Sequence, residues 1–258
     1  MRLVAGLGAS VIVARLAIMN RRGFIAGLAA ISAGDAFAQA APAAPSPLFF
    51  YAGQPGRLTQ DRDRQGGNPF ASALVEVLRK EPETLQDFTA RLASANAHYS
   101  GGWQQLQFPK KLPRWNMRES ESERRVALVL INADYSKTEG VYSLPGAAFD
   151  AKRIPEALKA AGFETTLVFD ADAPKARAAM AAFAEQSEAA DASFIYVGGH
   201  GMQHKRVVYW MMGDYPGRDE RWLGTHAIAL DEIGKAGRAS RVNLVLYASC
   251  RDDPFQGN

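Results

Sequence analysis

Cysteine is nearly absent: in 258 residues there is one, Cys250. A single thiol excludes an intrachain disulfide framework, and it cannot supply the several cysteine ligands that a structural zinc site usually draws on. Long unbroken apolar runs are also missing. The apolar N-terminal stretch to Ile18 is interrupted by Arg15 and then by Arg21 and Arg22, short of the ~20 residues that a membrane span needs. Charge of one sign is lacking as well. The formal net charge is +3, but residues 1–38 hold Arg2, Arg15, Arg21 and Arg22 against Asp35 alone, so without them the 30 basic and 27 acidic side chains become 26 of each. A neutral remainder gives no electrostatic case for nucleic acid. What is present, 47% apolar and 22% charged residues, is ordinary globular composition and excludes collagen, coiled coil and disorder; the length fits one large α/β domain or two small ones.

Residues 1–38 read as targeting rather than fold. Asn20-Arg21-Arg22-Gly23-Phe24-Ile25 is a twin-arginine pattern, followed by an apolar run over 25–31 and by Ala36-Phe37-Ala38, an A-x-A cleavage signal. The expectation is export to the periplasm or beyond, with a cut after Ala38 and no stable membrane span in the mature chain. A start at Met19 would leave an export signal of ordinary length. Residues 39–47, rich in Ala and Pro, then read as a linker.

From Arg124 the chain alternates strand and helix signals, which predicts a mostly parallel sheet with right-handed crossovers. Residues 126–131 form a continuous β-branched and leucine run, expected of a strand covered on both faces. Residues 147–161 carry apolar residues at helical spacing, 163–169 read as a second strand, and Pro174 opens an alanine-rich helix to about Glu188. A third strand over 193–197, a short hairpin strand over 206–212, a short helix over 230–236 and a last strand over 242–247 complete this half.

Two of these strands end in polar chemistry, at Gly198-Gly199-His200-Gly201 and at Ser249-Cys250-Arg251-Asp252. In open parallel sheets functional groups gather beyond the carboxyl ends of strands. If those strands are neighbours, His200 and Cys250 meet there, and an imidazole that accepts the thiol proton yields the thiolate that attacks a carbonyl. The flanking glycines leave room for a peptide, and the backbone N–H groups of Gly201 and Cys250 could converge on an oxyanion.

The stretch from Arg124 to Phe255 resembles the large-subunit region of the caspase and metacaspase cysteine peptidases. The residues that carry the likeness are Leu130-Ile131-Asn132 with Tyr135, Asp150-Ala151, Gly162-Phe163, Tyr196 with Gly199-His200-Gly201, and Cys250-Arg251-Asp252-Asp253-Pro254-Phe255. The interval of 50 positions from His200 to Cys250 also matches the family's spacing of about 50. The resemblance implies an α/β/α sandwich around a mostly parallel sheet and a dyad in which Cys250 attacks the scissile carbonyl and His200 manages protons, with oxyanion donors at Gly201 and Cys250. Its substrates would be peptides or proteins, and no cofactor is required, although many metacaspases are activated by Ca2+.

The first half resembles the small-subunit segment of bacterial caspase-like proteins, in residues 48–56, Asn68-Pro69-Phe70-Ala71-Ser72-Ala73-Leu74 followed by a helix to Lys80, a helix over 84–98, Gly101-Gly102 and on to Pro109. That segment commonly follows the nucleophile. Here it precedes the large-subunit region, an order similar to type III metacaspases, with 110–123 as joining linker and 48–258 as one circularly permuted domain. The rival is a gene fragment spanning two domains. Permutation predicts that residues 48–52 extend the sheet beside the 242–247 strand.

The family pattern is not matched everywhere. Metacaspases commonly carry an acidic residue two positions before the nucleophile, which helps to bind a basic P1 side chain, and here Ala248 stands there. Asp61 or Asp63 could supply that carboxylate, although Asp61-Arg62-Asp63-Arg64 also reads as a solvated loop. Ile131 replaces a glycine usual before Asn132. His204 is not at metal-pair geometry unless helical, and Gly201 argues against a helix. His98 and His226 read as surface or capping residues, the four tryptophans as packing, and Asp170, Asp172 and Asp191 lack EF-hand spacing. Two functions follow: an exported cysteine endopeptidase, or, given Ala248 and the short sequence after Cys250, an inactive caspase-like binding module.

Overall fold

The computed structural model describes residues 43–118, 122–217 and 219–255. The twin-arginine leader falls outside these residues. In chain order the elements are β1 (Leu48–Tyr51), α1 (Pro69–Arg79), α2 (Leu85–Tyr99), β2 (Arg125–Ile131), α3 (Pro145–Ala160), β3 (Glu164–Phe169), α4 (Ala173–Glu188), β4 (Ala192–Gly198), β5 (Gly201–His204), β6 (Val207–Met211), a 3-10 turn (Glu220–Trp222), α5 (Leu223–His226), β7 (Ala227–Ala229), α6 (Leu230–Gly234) and β8 (Val242–Tyr247).

Five parallel strands form the main sheet in the order β1-β8-β4-β2-β3. Every residue of β2, β4 and β8 is buried, which is why their sequences read as continuous apolar runs rather than alternating ones. Alternation appears instead in which side each residue faces. Ala127, Val129, Ile131, Phe194, Tyr196, Leu244 and Leu246 join the core under α1, α2 and α3, while Val126, Leu128, Leu130, Ile195, Val197, Val245 and Tyr247 join the core under α4 and α6. The result is the α/β/α sandwich expected from the sequence.

Local chemistry fixes the helix starts. Asn68 and Thr84 accept Phe70 N–H and Asp87 N–H to cap α1 and α2, and Asp172 caps α4 by accepting Lys175 N–H. Proline stands in the first turn of α1, α3 and α4. The β1 strand pairs in register with β8 from Leu48↔Leu244 to Tyr51↔Tyr247, the pairing expected above. The strand ends at Tyr51, one residue before the expected 52, although Ala52 N–H still donates to the Tyr247 carbonyl, and Gln107 bridges Tyr51 on its other edge.

Two further features depart from the sequence reading. The 206–212 strand is the middle of a three-stranded antiparallel sheet, β5-β6-β7, whose short outer strands carry little periodic signal. Part of the 110–123 segment is well packed: Trp115 and Met117 are buried, and the Arg125 guanidinium lies 4.9 Å over the Trp115 ring while donating to the carbonyls of Asn116, Met117 and Arg118. Among the described residues no helix is long and apolar enough to cross a membrane.

Candidate active site

Strands β4 and β8 are neighbours, with Val197 opposite Tyr247, so the segments leaving their carboxyl ends emerge side by side. His200 and Cys250, both half-buried, line the same cavity of about 70 Å³ and also a wider, mostly apolar one of about 490 Å³. Gly201 and Cys250 lie together on the wider one, and Ala248 on the smaller.

The glycines are needed for this approach. Gly199 has φ +129°, and a Cβ there would stand 2.7 Å from the Asn132 carbonyl oxygen; a Cβ on Gly201 would lie 1.8 Å from the Tyr247 hydroxyl. Three contacts hold His200, one to its backbone and two to its ring. His200 N–H donates to the Tyr135 hydroxyl (2.8 Å), the Tyr135 ring meets the imidazole edge-on at 4.5 Å, and His200 Nε2 lies 2.8 Å from the Tyr142 carbonyl oxygen. A carbonyl only accepts, so Nε2 carries the proton and the neutral ring keeps its lone pair on Nδ1. Tyr135 in turn donates to the Met211 carbonyl (3.1 Å).

The sulfur has partners from the other half of the chain. Thr59 N–H donates to Cys250 Sγ at 3.3 Å, and Thr59 Oγ1 lies 3.4 Å from it. The strand pairing brings them together: beyond β1, Gly56 N–H donates to the Arg251 carbonyl and Arg251 N–H to the Arg57 carbonyl, clamping the Thr59 loop over the Cys250 segment. Arg251 fixes the same segment by donating to Gln203 and to Gln107, with its guanidinium 4.1 Å over the Tyr51 ring.

Burial pushes the Cys250 thiol above its ordinary value, opposed by the two Thr59 contacts and reinforced by Asp252. Burial also pushes His200 below its ordinary value, against the Tyr142 carbonyl and the charges of Asp61 and Asp252. Both directions favour a neutral thiol beside a neutral imidazole in the free protein.

The two candidate carboxylates part company. Asp61 lines the smaller cavity, where its oxygens accept Gly146 N–H (3.1 Å) and Ala147 N–H (3.3 Å) at the start of α3. Asp63 is not among the residues lining either cavity; it closes a turn with Gln65 and Gly67. Ala248 accepts Asn68 Nδ2 at its carbonyl. His204 sits on β5, not a helix, between Glu220 (2.6 Å) and Asp253 (3.1 Å). His226 has neighbours that its sequence did not reveal, Thr225 Oγ1 at 2.8 Å and the Trp222 ring.

The sequence alone gives no role to Thr59, Tyr142 or the Asp150–Arg153 pair. Thr59 lies in a polar loop with no motif, and Tyr142 acts through a backbone carbonyl that any residue has. Asp150 did leave a signal: it interrupts the inward apolar stripe of α3, where it is 2% exposed.

A thiol and an oriented imidazole in one cavity are equipped for nucleophilic attack on an acyl carbon. The family model described as Caspase domain matches residues 124–257, just over half of the chain, and the chain belongs to that family of cysteine peptidases. None of the curated proteins compared with it matches.

Proposed function

We propose that the protein is a caspase-like cysteine endopeptidase that works through a Cys250–His200 dyad. The observation that carries this reading is the placement of both side chains on the same two cavities, one small, the other wide enough for an extended peptide. In this mechanism His200 Nδ1 takes the Cys250 proton as the sulfur attacks the scissile carbonyl, and the imidazolium is steadied by its Nε2–H bond to Tyr142. The oxyanion faces the N–H groups of Gly201 and Cys250. His200 returns the proton to the leaving amine, and a water it then activates hydrolyses the thioester.

Since burial raises the thiol and lowers the imidazole, the pair is neutral at rest and proton transfer belongs to the attack. Peptide hydrolysis then requires unprotonated His200 and its acid limb lies below the usual histidine range. The test is hydrolysis of a peptide library by the chain freed of its leader. Replacing Cys250 by Ala or His200 by Ala is expected to lower kcat by roughly a thousand-fold or more, the scale for members of one catalytic unit. Unchanged turnover in either variant refutes the dyad, and no hydrolysis at all favours the binding-module alternative. Running the assay with calcium and with chelator reads out Ca2+ activation; among the described residues no cluster of three or more His, Cys, Asp or Glu side chains is placed to hold a metal.

The proposal includes export, from the twin-arginine pattern, and a type III metacaspase-like permuted order, supported by the parallel pairing of β1 with β8 and by the Thr59 contact to Cys250.

A further inference from the structure

The smaller cavity beside the dyad holds two carboxylates, Asp61 and Asp150, and either could be read as a trap for a cationic side chain. Their partners argue otherwise. Asp61 is taken up by two backbone N–H groups at the α3 start, a site of positive helix-dipole end, with Arg62 Nε a further 3.7 Å away. Asp150 is held more tightly. Its Oδ1 accepts Arg153 Nε at 2.8 Å, its Oδ2 accepts Asn68 N–H at 3.1 Å, and the Arg153 side chain is only 11% exposed.

Arg153 is itself locked. Its Nη2 donates to Ser72 Oγ (2.8 Å) and approaches the Asn68 carbonyl (3.4 Å), and Gly67 is glycine because a Cβ there would stand 2.1 Å from that nitrogen. A substrate cation would have to displace this guanidinium from a buried, hydrogen-bonded pair, and breaking such a pair is strongly unfavourable. Tyr196, with its buried ring, and Ala248 add uncharged surface to the lining. The cavity measures about 70 Å³, against about 490 Å³ for the wider one beside it.

We propose that this cavity accepts a short, uncharged side chain on the acyl side of the cleaved bond, and that Arg153, by neutralising Asp150 from within, is the residue that denies it to lysine and arginine. This rests on the peptidase reading of the dyad. Arg153 is a positioning residue here, since it acts through Asp150. Burial pushes the Asp150 carboxyl up to about 7, against the pull of Arg153 and Asn68 N–H, so near neutral pH it is either protonated or paired, and in neither state a free anion.

The test uses peptides identical except at that residue, carrying Ser, Asn, Asp, Lys or Arg, with hydrolysis by the unmodified chain measured as kcat/KM and binding to Cys250→Ala measured by fluorescence anisotropy. The expected result is a kcat/KM for Ser and Asn at least ten-fold above that for Lys, Arg and Asp, with binding in the same order. In Arg153→Met the ratio of Lys or Arg to Ser is expected to rise at least ten-fold, and Arg153→Lys to keep the original order. If Arg153→Met does not fold, the unmodified chain's profile decides alone. Lys or Arg equal to or better than Ser in the unmodified chain overturns the proposal while leaving the peptidase reading standing. Binding in the expected order without hydrolysis upholds the selectivity and removes the peptidase reading, and a peptide series that neither binds nor is cleaved overturns the proposal.

Discussion

At Cys250 two opposing effects meet on one sulfur: burial disfavours the thiolate, and Thr59 offers it an N–H and a hydroxyl. Burial is the larger, so alkylation by iodoacetamide is expected to keep accelerating above pH 8.5 rather than level off near neutrality, because the rate follows the thiolate fraction. Thr59→Val keeps the N–H and removes the hydroxyl contact. Loss of a hydrogen bond of about 1 kcal/mol raises the thiol pKa by roughly 0.7, which slows alkylation at pH 7.5 by roughly five-fold. Thr59→Ser is expected to restore the rate. A Thr59→Val profile identical to the parent's shows that the hydroxyl does not stabilise the thiolate.

At the level of elements, α3 begins without a side-chain cap of its own, at Leu144, and borrows one from Asp61 in a distant loop. Asp61→Ala removes that acceptor. Loss of such a cap costs about 1 kcal/mol, so thermal unfolding is expected to shift down by roughly 2–4 °C in a chain of this size. No shift in a calorimetric scan contradicts the capping role. The same residue shows where sequence reading ends. The sequence shows Asp61 as a carboxylate soon after a strand, yet whether it meets a ligand or a helix end depends on where the 57–63 loop folds back. By contrast β8 is legible to the residue, because burial on both sheet faces leaves a local imprint, and of α1 the end is legible to within a residue but not the start. The β5 and β7 strands, of four and three residues, leave almost none.

For the whole molecule, the β1 strand belongs to the same sheet as β8, the strand that leads to Cys250, although some 190 residues separate them: Phe50 is fully buried and meets Phe88 and Phe108 edge-on. If the order of the two segments is a permutation, a chain in which 122–255 precedes 43–118, joined by a flexible 15-residue Gly/Ser linker with a span of roughly 20 Å, is expected to unfold in one cooperative transition. Separate unfolding of the 43–118 segment contradicts that reading. His200 and Cys250 were found as strand-end motifs, but their shared cavities needed the β4–β8 adjacency, which only the tertiary pairing supplies. The claim on which the catalytic account turns is that this sulfur is a nucleophile served by this imidazole. Intact-mass analysis after incubation with a peptide bearing a thiol-reactive carbonyl-mimicking electrophile tests it directly. One adduct per chain is expected, mapped to Cys250, absent from Cys250→Ala and formed at least a hundred-fold more slowly in His200→Ala; no adduct on the folded protein, or equal rates with and without His200, contradicts the account.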